Sequence, residues 1–161
     1  MLSSMNLTGD TINFLSYNPT GYGPLKTKFI REISSVSNIS FIQIQEHFRK
    51  SKTIDKYFND QFPEFTSFII PGFRQEGQDN GRPIGGLAQM STKLLKINKI
   101  RIITSSPRIQ AQFLQLNQNK LLWLNSYLPC DSGNSNIEEL NSVLKEIENI
   151  LDSAEFDDII W

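Results

Sequence analysis

The sequence predicts an α+β fold, a mixed sheet with flanking helices, and three observations carry that prediction. Apolar runs of strand length recur along the 161 residues, amphipathic stripes mark a helix early and another late in the chain, and short polar connections separate four consecutive strand-like runs. With 39% hydrophobic and 20% charged residues, the composition is that of a packed globular domain. We expect one domain over residues 11–161 and a disordered segment over residues 1–10, which are polar and lack periodicity.

A strand, a helix and a second strand open the predicted domain. Residues 12–17 form an apolar run that ends at Asn18, and a dense group of turn residues follows. Apolar residues then recur at helical spacing at Leu25, Phe29, Ile30, Ile33 and Val36. The next apolar run, residues 39–45, ends at Glu46. Because this order is typical of a crossover between parallel strands, we expect Asn18 and Glu46 at the same edge of the sheet.

The middle of the chain predicts mostly strands. A short helix after residue 51 and a strand over residues 65–70 precede a long polar loop, residues 73–84. Four strand-like runs follow, at residues 85–90, 97–104, 109–116 and 121–127. Their short connections favour antiparallel pairing of each run with the next.

The last helix has the clearest apolar stripe in the chain, formed by Ile137, Leu140, Val143, Leu144, Ile147, Ile150 and Leu151. Ser135 with Glu138 three residues later is a capping-box pattern at its start. Residues 155–161 then read as a final strand.

Charge and cysteine content limit the functional classes. The net charge of −1 provides no global basic field, so binding to nucleic acid requires a local patch or a metal. A single cysteine, Cys130, excludes an internal disulfide and leaves a zinc knuckle without ligands. Without a signal-peptide pattern or an apolar window of about 18 residues, the sequence favours an intracellular protein.

Glu46 and Asn18 are the first candidates for chemistry. A carboxylate beside an amide at one sheet edge suits Mg²⁺, which takes one or two carboxylates together with water and phosphate oxygens. Ordinary structural roles compete with this hypothesis, since a Glu often marks the exit of a strand into water and Asn-Pro commonly opens a turn. His47 follows Glu46 and would face the other side of the strand, which favours a structural role.

Other candidate motifs are weaker. The stretch from Gly81 to Gly86 lacks the Gly-Lys-Ser/Thr of a phosphate loop. Asn125 and Tyr127 are two residues apart at the end of a strand, and therefore share one face. Cys130 as a nucleophile would need a base, and the sole histidine lies in a distant segment.

These motifs, in this order, resemble the endonuclease/exonuclease/phosphatase superfamily, which has the fold of deoxyribonuclease I. The matching stretches are Ser16-Tyr17-Asn18 with Gly21, Ile44-Gln45-Glu46-His47, Gly81-Arg82-Pro83 with Gly85-Gly86, Asn125-Ser126-Tyr127-Leu128-Pro129 and Asp157-Asp158-Ile159-Ile160-Trp161. The resemblance extends from about residue 11 to the last residue, and is strongest to endonuclease domains of non-LTR retrotransposons. It implies the N-terminal part of a four-layer α/β/β/α sandwich.

The resemblance also implies roles for individual residues. Glu46 would bind the catalytic Mg²⁺ or Mn²⁺, with Asn18 beside it orienting the metal and the scissile phosphate. Tyr127 matches a phosphate-facing tyrosine of related abasic-site nucleases, and Asn125 would line the same floor. Arg82 and Arg108 are candidates for contacts to the DNA backbone.

The resemblance further implies an incomplete site. The family pattern continues with Gly-Asp-x-Asn and later an Asp and a His that activate water, so we expect this chain to be inactive or nearly so. Its expected partners are DNA, the missing C-terminal half of the domain and a reverse transcriptase. Two alternatives remain open: a phosphatase or abasic-site nuclease of the same fold, and a degenerate copy that binds nucleic acid without cleaving it.

Overall fold

The computed structural model describes residues 1–7, 10–50, 53–74, 80–95, 97–129, 134–153 and 155–161. Within them, nine strands form two mixed sheets, and three helices accompany the strands, which confirms the α+β class. The chain divides into two compact units, residues 1–96 and 97–161, each with its own sheet. None of the described helices is long and apolar enough to cross a bilayer.

The first unit contains a five-stranded sheet. Its elements are β1 (Leu2–Leu7), β2 (Asp10–Tyr17), α1 (Pro24–Val36), β3 (Ile39–Gln45), α2 (Ile54–Gln61), β4 (Phe65–Ile70) and β5 (Leu87–Thr92). The strand order is β1-β2-β3-β5-β4, and the β2–β3 pair is parallel whereas the other pairs are antiparallel. Ile30 of α1 and Phe58 of α2 are fully buried in one hydrophobic cluster with Ile42 and Ile44 of β3, so both helices cover the face of the sheet that these two strand residues share.

The prediction of a disordered segment over residues 1–10 is wrong, because Leu2–Leu7 forms β1. This strand pairs antiparallel with β2 from Leu2 opposite Leu15 to Leu7 opposite Asp10. Backbone hydrogen bonds hold an edge strand of this kind, and they leave no signature in the apolar pattern of the sequence.

Helix α1 forms where the sequence predicts it, and Ile30 and Ile33 in the middle of the predicted stripe pack in the core, but the two ends of the stripe do not. Leu25 and Val36 of the predicted stripe are 83% and 84% exposed, whereas Thr27 and Ile30 are buried. The Thr27 hydroxyl donates to the Gly23 carbonyl oxygen at 3.2 Å, which satisfies a polar group on the buried side. The buried face of α1 therefore combines the middle of the apolar stripe with one polar residue whose hydroxyl is hydrogen-bonded.

The second unit contains a four-stranded sheet. Its elements are β6 (Asn98–Ile102), β7 (Ile109–Leu116), β8 (Asn119–Ser126), α3 (Asn134–Ser153) and β9 (Asp158–Ile160). Strands β6, β7 and β8 form an antiparallel meander, and β9 pairs parallel with β8. Val143, Ile147 and Ile150 of α3 are buried in a cluster with β7 and β8, as its apolar stripe predicts. The predicted cap at Ser135 lies outside the described side chains.

One predicted pairing is wrong. Strand β5, the first of the four runs, does not pair with β6 but lies between β3 and β4 in the first unit. Leu87 to Ser91 are all buried, and their backbone forms ladders on both sides. A short connection therefore joins two different sheets here, which the length of the connection alone does not reveal.

Candidate metal and phosphate site

Three of the predicted motifs meet at the edge where the parallel strands β2 and β3 end. The last pair of the ladder is Tyr17 with Ile44. Beyond it, the Gly21 N–H donates to the Glu46 carbonyl oxygen at 2.8 Å. On the other side of the same segment, the Phe48 N–H donates to the Gly85 carbonyl oxygen at 2.9 Å. Residues 46–48 therefore lie between the loop after β2 and the segment that leads into β5.

Glu46 follows β3 in a left-handed backbone conformation, with φ of 54°. Its side chain is partly exposed, and no other described residue gives its carboxylate a hydrogen bond or an ion pair. Within the described residues, no group of three or more His, Cys, Asp or Glu side chains forms a complete protein cage for a metal. One open carboxylate fits a hard cation such as Mg²⁺, which keeps several waters and seldom uses an all-protein cage.

Asn18 lies at the same edge. It directly follows Tyr17, whose partner in β3 is Ile44, two residues before Glu46. Its side chain is exposed, and its Oδ1 accepts a hydrogen bond from the Thr20 N–H at 3.0 Å. Lys26 of α1 donates to the carbonyl oxygens of Pro19 and Gly21, which fixes the loop against the helix. The shared edge agrees with the crossover argument, whereas the role of Asn18 as a ligand stays a prediction.

His47 is buried and occupies a structural position. Its Nδ1 accepts from the Arg49 N–H at 3.0 Å, so Nε2 carries the proton and donates to the Ile70 carbonyl oxygen at 3.1 Å. Burial lowers the pKa of His47 from 6.5 to about 4. A Cβ at Gly86 would come within 2.4 to 2.7 Å of three atoms of the ring, so only glycine leaves room for it. The imidazole is therefore neutral and enclosed at physiological pH.

Arg82 belongs to the same edge. Its guanidinium lies over the Phe48 ring at 4.0 Å from the centroid, and the residue is exposed. Phe48 in turn contacts the loop after β2, since a Cβ at Gly21 would lie 3.0 Å from its ring. The structure thus brings Asn18, Glu46 and Arg82 to one edge of the first unit.

The remaining candidates, Asn125, Tyr127 and Arg108, lie together in the second unit. Asn125 is fully buried and donates from Nδ2 to Gln110 Oε1 at 3.2 Å. The Arg108 guanidinium lies 4.5 Å from the centroid of the Tyr127 ring. It also forms a two-pronged ion pair with Glu139 of α3, with Nε–Oε1 at 2.7 Å and Nη2–Oε2 at 3.2 Å. A phosphate contact by Arg108 would compete with this pair, and the phosphate roles of all three residues stay predictions.

Sequence reasoning missed two features of these sites. Glu139 lies 31 residues from Arg108, and no local pattern connects them. Arg49, Lys50 and Arg74 line a cavity beside Phe48. The adjacent cations Arg49 and Lys50 were a visible signal in the sequence, whereas Arg74 joins them only through the fold.

No family model and no curated protein matches the sequence. Solved structures do match: the catalytic domain of human Nocturnin, with 15% identity over 98% of this chain and 65% of that one, has a TM-score of 0.62. The AP endonuclease LMAP from Leishmania major matches with 16% identity, a TM-score of 0.58 and coverage of 86% and 46%. The endonuclease domain of TRAS1, a telomere-specific non-LTR retrotransposon, matches with 12% identity, a TM-score of 0.53 and coverage of 85% and 52%. The chain spans 46% to 65% of the length of these three structures.

Proposed function

Because the chain has the deoxyribonuclease-I-like fold of the endonuclease/exonuclease/phosphatase superfamily, we propose that it binds a divalent cation through Glu46 and holds a DNA phosphodiester beside it. The observation that carries the proposal is the open carboxylate of Glu46, at the strand edge that also holds Asn18 and Arg82. The resemblance to TRAS1 supports an endonuclease of retrotransposon type. Fold alone does not decide among the activities that the superfamily contains.

Each of three residues at the proposed site would have a separate role. Glu46 would hold Mg²⁺ or Mn²⁺, the second lone pair of Asn18 Oδ1 would accept a hydrogen bond from a water, and its Nδ2 would donate to the phosphate. The exposed Arg82 guanidinium offers paired N–H donors to a backbone phosphate. When bound, the cation would stabilise the negative charge that develops on the phosphoryl oxygens.

Water activation is the step that the histidine of this chain does not supply. His47 is the only histidine in the sequence, and it is neutral, buried and hydrogen-bonded at both ring nitrogens. A positioned general base contributes about 10²–10⁴ in rate. This observation favours a second candidate function, in which the protein binds metal and nucleic acid without cleaving the nucleic acid.

Metal binding tests the proposal directly. We expect Mn²⁺ titrations, followed by the EPR signal of the free ion, to show binding that Glu46→Gln weakens by about tenfold or more, since the ion loses its only proposed carboxylate ligand. Glu64→Gln, which removes an exposed carboxylate before β4, should bind like the unmodified chain. Equal Mn²⁺ affinity for Glu46→Gln and the unmodified chain would contradict the proposal.

A nicking assay separates the two candidate functions. Supercoiled plasmid is incubated with the chain and Mg²⁺ or Mn²⁺, and the relaxed form is quantified. Nicking that disappears with Glu46→Gln supports the phosphodiesterase. Metal and DNA binding without nicking supports the non-catalytic protein.

A further inference from the structure

A cationic cavity of about 450 Å³ lies beside the candidate site. Its lining includes Arg49, Lys50 and Arg74, and none of the described residues that line it is acidic. Phe48 also lines it, two residues after Glu46 and beneath the guanidinium of Arg82. In a chain with net charge −1, this is a local concentration of positive charge.

Arg49 is held in place within this cavity. Its guanidinium lies 3.9 Å from the centroid of the Tyr57 ring, and its Nη2 donates to the Tyr22 carbonyl oxygen at 3.2 Å. Its backbone carbonyl oxygen accepts from the Gly72 N–H at 2.8 Å, which ties it to the end of β4. The Nε–H is buried and has no hydrogen-bond partner among the described residues. A buried donor on a cation is costly to leave unmade, so the Arg49 guanidinium still has the capacity for a further charge-assisted hydrogen bond.

Arg74 is positioned by an antiparallel bridge beside it and by one hydrogen bond of its own. Phe73, the residue before it, exchanges two backbone hydrogen bonds with Ile84, at 2.9 and 2.8 Å. Arg74 Nη2 donates to the Gly81 carbonyl oxygen at 2.9 Å. Lys50, in contrast, is exposed. Two oriented guanidinium groups and one exposed ammonium suit a phosphate, which accepts several charge-assisted hydrogen bonds at once.

We propose that this cavity binds a second phosphate group of the nucleic acid, next to the phosphodiester held at Glu46. The inference deepens the proposed function and rests on it, because Phe48 connects the cavity to the metal edge. An internal backbone phosphate and a terminal phosphate share the required chemistry. In both cases the cavity would fix the position of the strand relative to the metal.

Anisotropy of a labelled oligonucleotide in EDTA tests the cavity without the metal. We expect Lys50→Gln with Arg74→Gln to weaken binding by about tenfold or more, because charge-assisted hydrogen bonds are lost. The slope of log K against log salt should decrease by about 1, as for one phosphate contact. Lys28→Gln with Arg31→Gln on α1 removes the same two residue types at exposed positions and is the matched control. Arg49 is left intact because its packing on Tyr57 ties it to folding.

The outcomes are distinct. Binding that rises with a 5′-phosphate, and loses that gain in the cavity variant, identifies a terminal phosphate. Equal binding of 5′-phosphate and 5′-hydroxyl oligonucleotides, with loss in the cavity variant, identifies an internal one. Affinity and salt slope of the cavity variant equal to those of the control would overturn the inference. The Mn²⁺ titration of Glu46→Gln is independent of this result, so failure of the cavity and failure of the metal site can be told apart.

Discussion

Glu46 and His47 are neighbours in sequence, but one side chain is partly exposed and the other is buried. Both Glu46 and Phe48 have φ of 54°, so the chain turns on either side of His47. The carboxylate is partly exposed, whereas the imidazole is buried against Phe58. Left-handed conformations at non-glycine residues cost roughly 1 kcal/mol or more each and are held by their surroundings. The buried His47 ring and the hydrogen bond from Gly21 N–H to the Glu46 carbonyl oxygen therefore both hold the backbone from which the Glu46 side chain extends.

Gly86→Ala should destabilise the protein by about 2–4 kcal/mol, because a Cβ would overlap the His47 ring and the backbone has φ of +91°. Gly81→Ala is the matched control, since Gly81 has φ of +105° but open space around its Cβ position. It should show only the backbone cost, roughly 1 kcal/mol. Urea denaturation measures both, and equal midpoints for the two variants would contradict the close contact.

Folding stability should decrease on acidification because of His47. Its pKa is lowered from 6.5 to about 4, chiefly by burial and further by the nearby charge of Arg49. Between these values the unfolded chain takes up a proton that the folded chain does not, so stability falls as the pH falls from 6.5 to 4. The full contribution is about 3 kcal/mol. Urea midpoints across this range in EDTA measure it, and His47→Gln should flatten the slope. An unchanged slope in that variant would assign the pH dependence to other groups.

At the scale of elements, the pattern of apolar residues predicts where β2 and β3 end better than it predicts how strands pair. The run up to Gln45 and the helix before it suffice to place Asn18 and Glu46 at one edge, because parallel crossovers have few alternatives. The same reasoning fails for β1, which has no regular apolar pattern and is held by backbone pairing with β2. It also fails for β5, whose two partners come from earlier in the chain. Long-range hydrogen bonds decide both cases.

Helix α1 tests how well the apolar pattern predicts which residues of an element are buried. Ile30 is fully buried, so Ile30→Ala should cost about 2–4 kcal/mol through lost burial and a cavity. Leu25, which belongs to the same sequence stripe, is 83% exposed, and Leu25→Ala should cost less than about 0.5 kcal/mol. Thermal or urea unfolding of the two variants measures the difference. Similar losses would show that Leu25 is covered in solution.

At the scale of the whole molecule, the balance of charge makes binding depend on local sites. Sixteen basic and seventeen acidic residues nearly cancel, so any affinity for DNA must come from clusters such as the cationic cavity. Sequence reasoning selected Glu46 and Arg82 as candidates because each lies in a recognisable motif, and their roles stay predictions. It did not predict the cationic cavity, since Arg74 comes close to Arg49 and Lys50 only in the folded chain.

Removing the Glu46 charge should therefore have opposite effects on DNA binding in two conditions. In EDTA, Glu46→Gln should bind DNA as tightly as the unmodified chain or more tightly, because a carboxylate that repels phosphate is gone. In Mn²⁺ it should bind more weakly, because the ion that bridges protein and phosphate is lost. Anisotropy measures both, with Glu64→Gln as the control. The same ranking of affinities in both conditions would argue against a metal at Glu46.

The turn around His47 also affects how genetic data on this chain should be interpreted. A survey of substitutions scored only by loss of binding would group positions 46 and 47 into one continuous hot spot. A second score, the yield of soluble protein, should divide them, since a change at 47 disturbs packing beneath the surface and a change at 46 does not. Substitutions at codon 46 would then report on ligand binding, and substitutions at the adjacent codon 47 would report on folding.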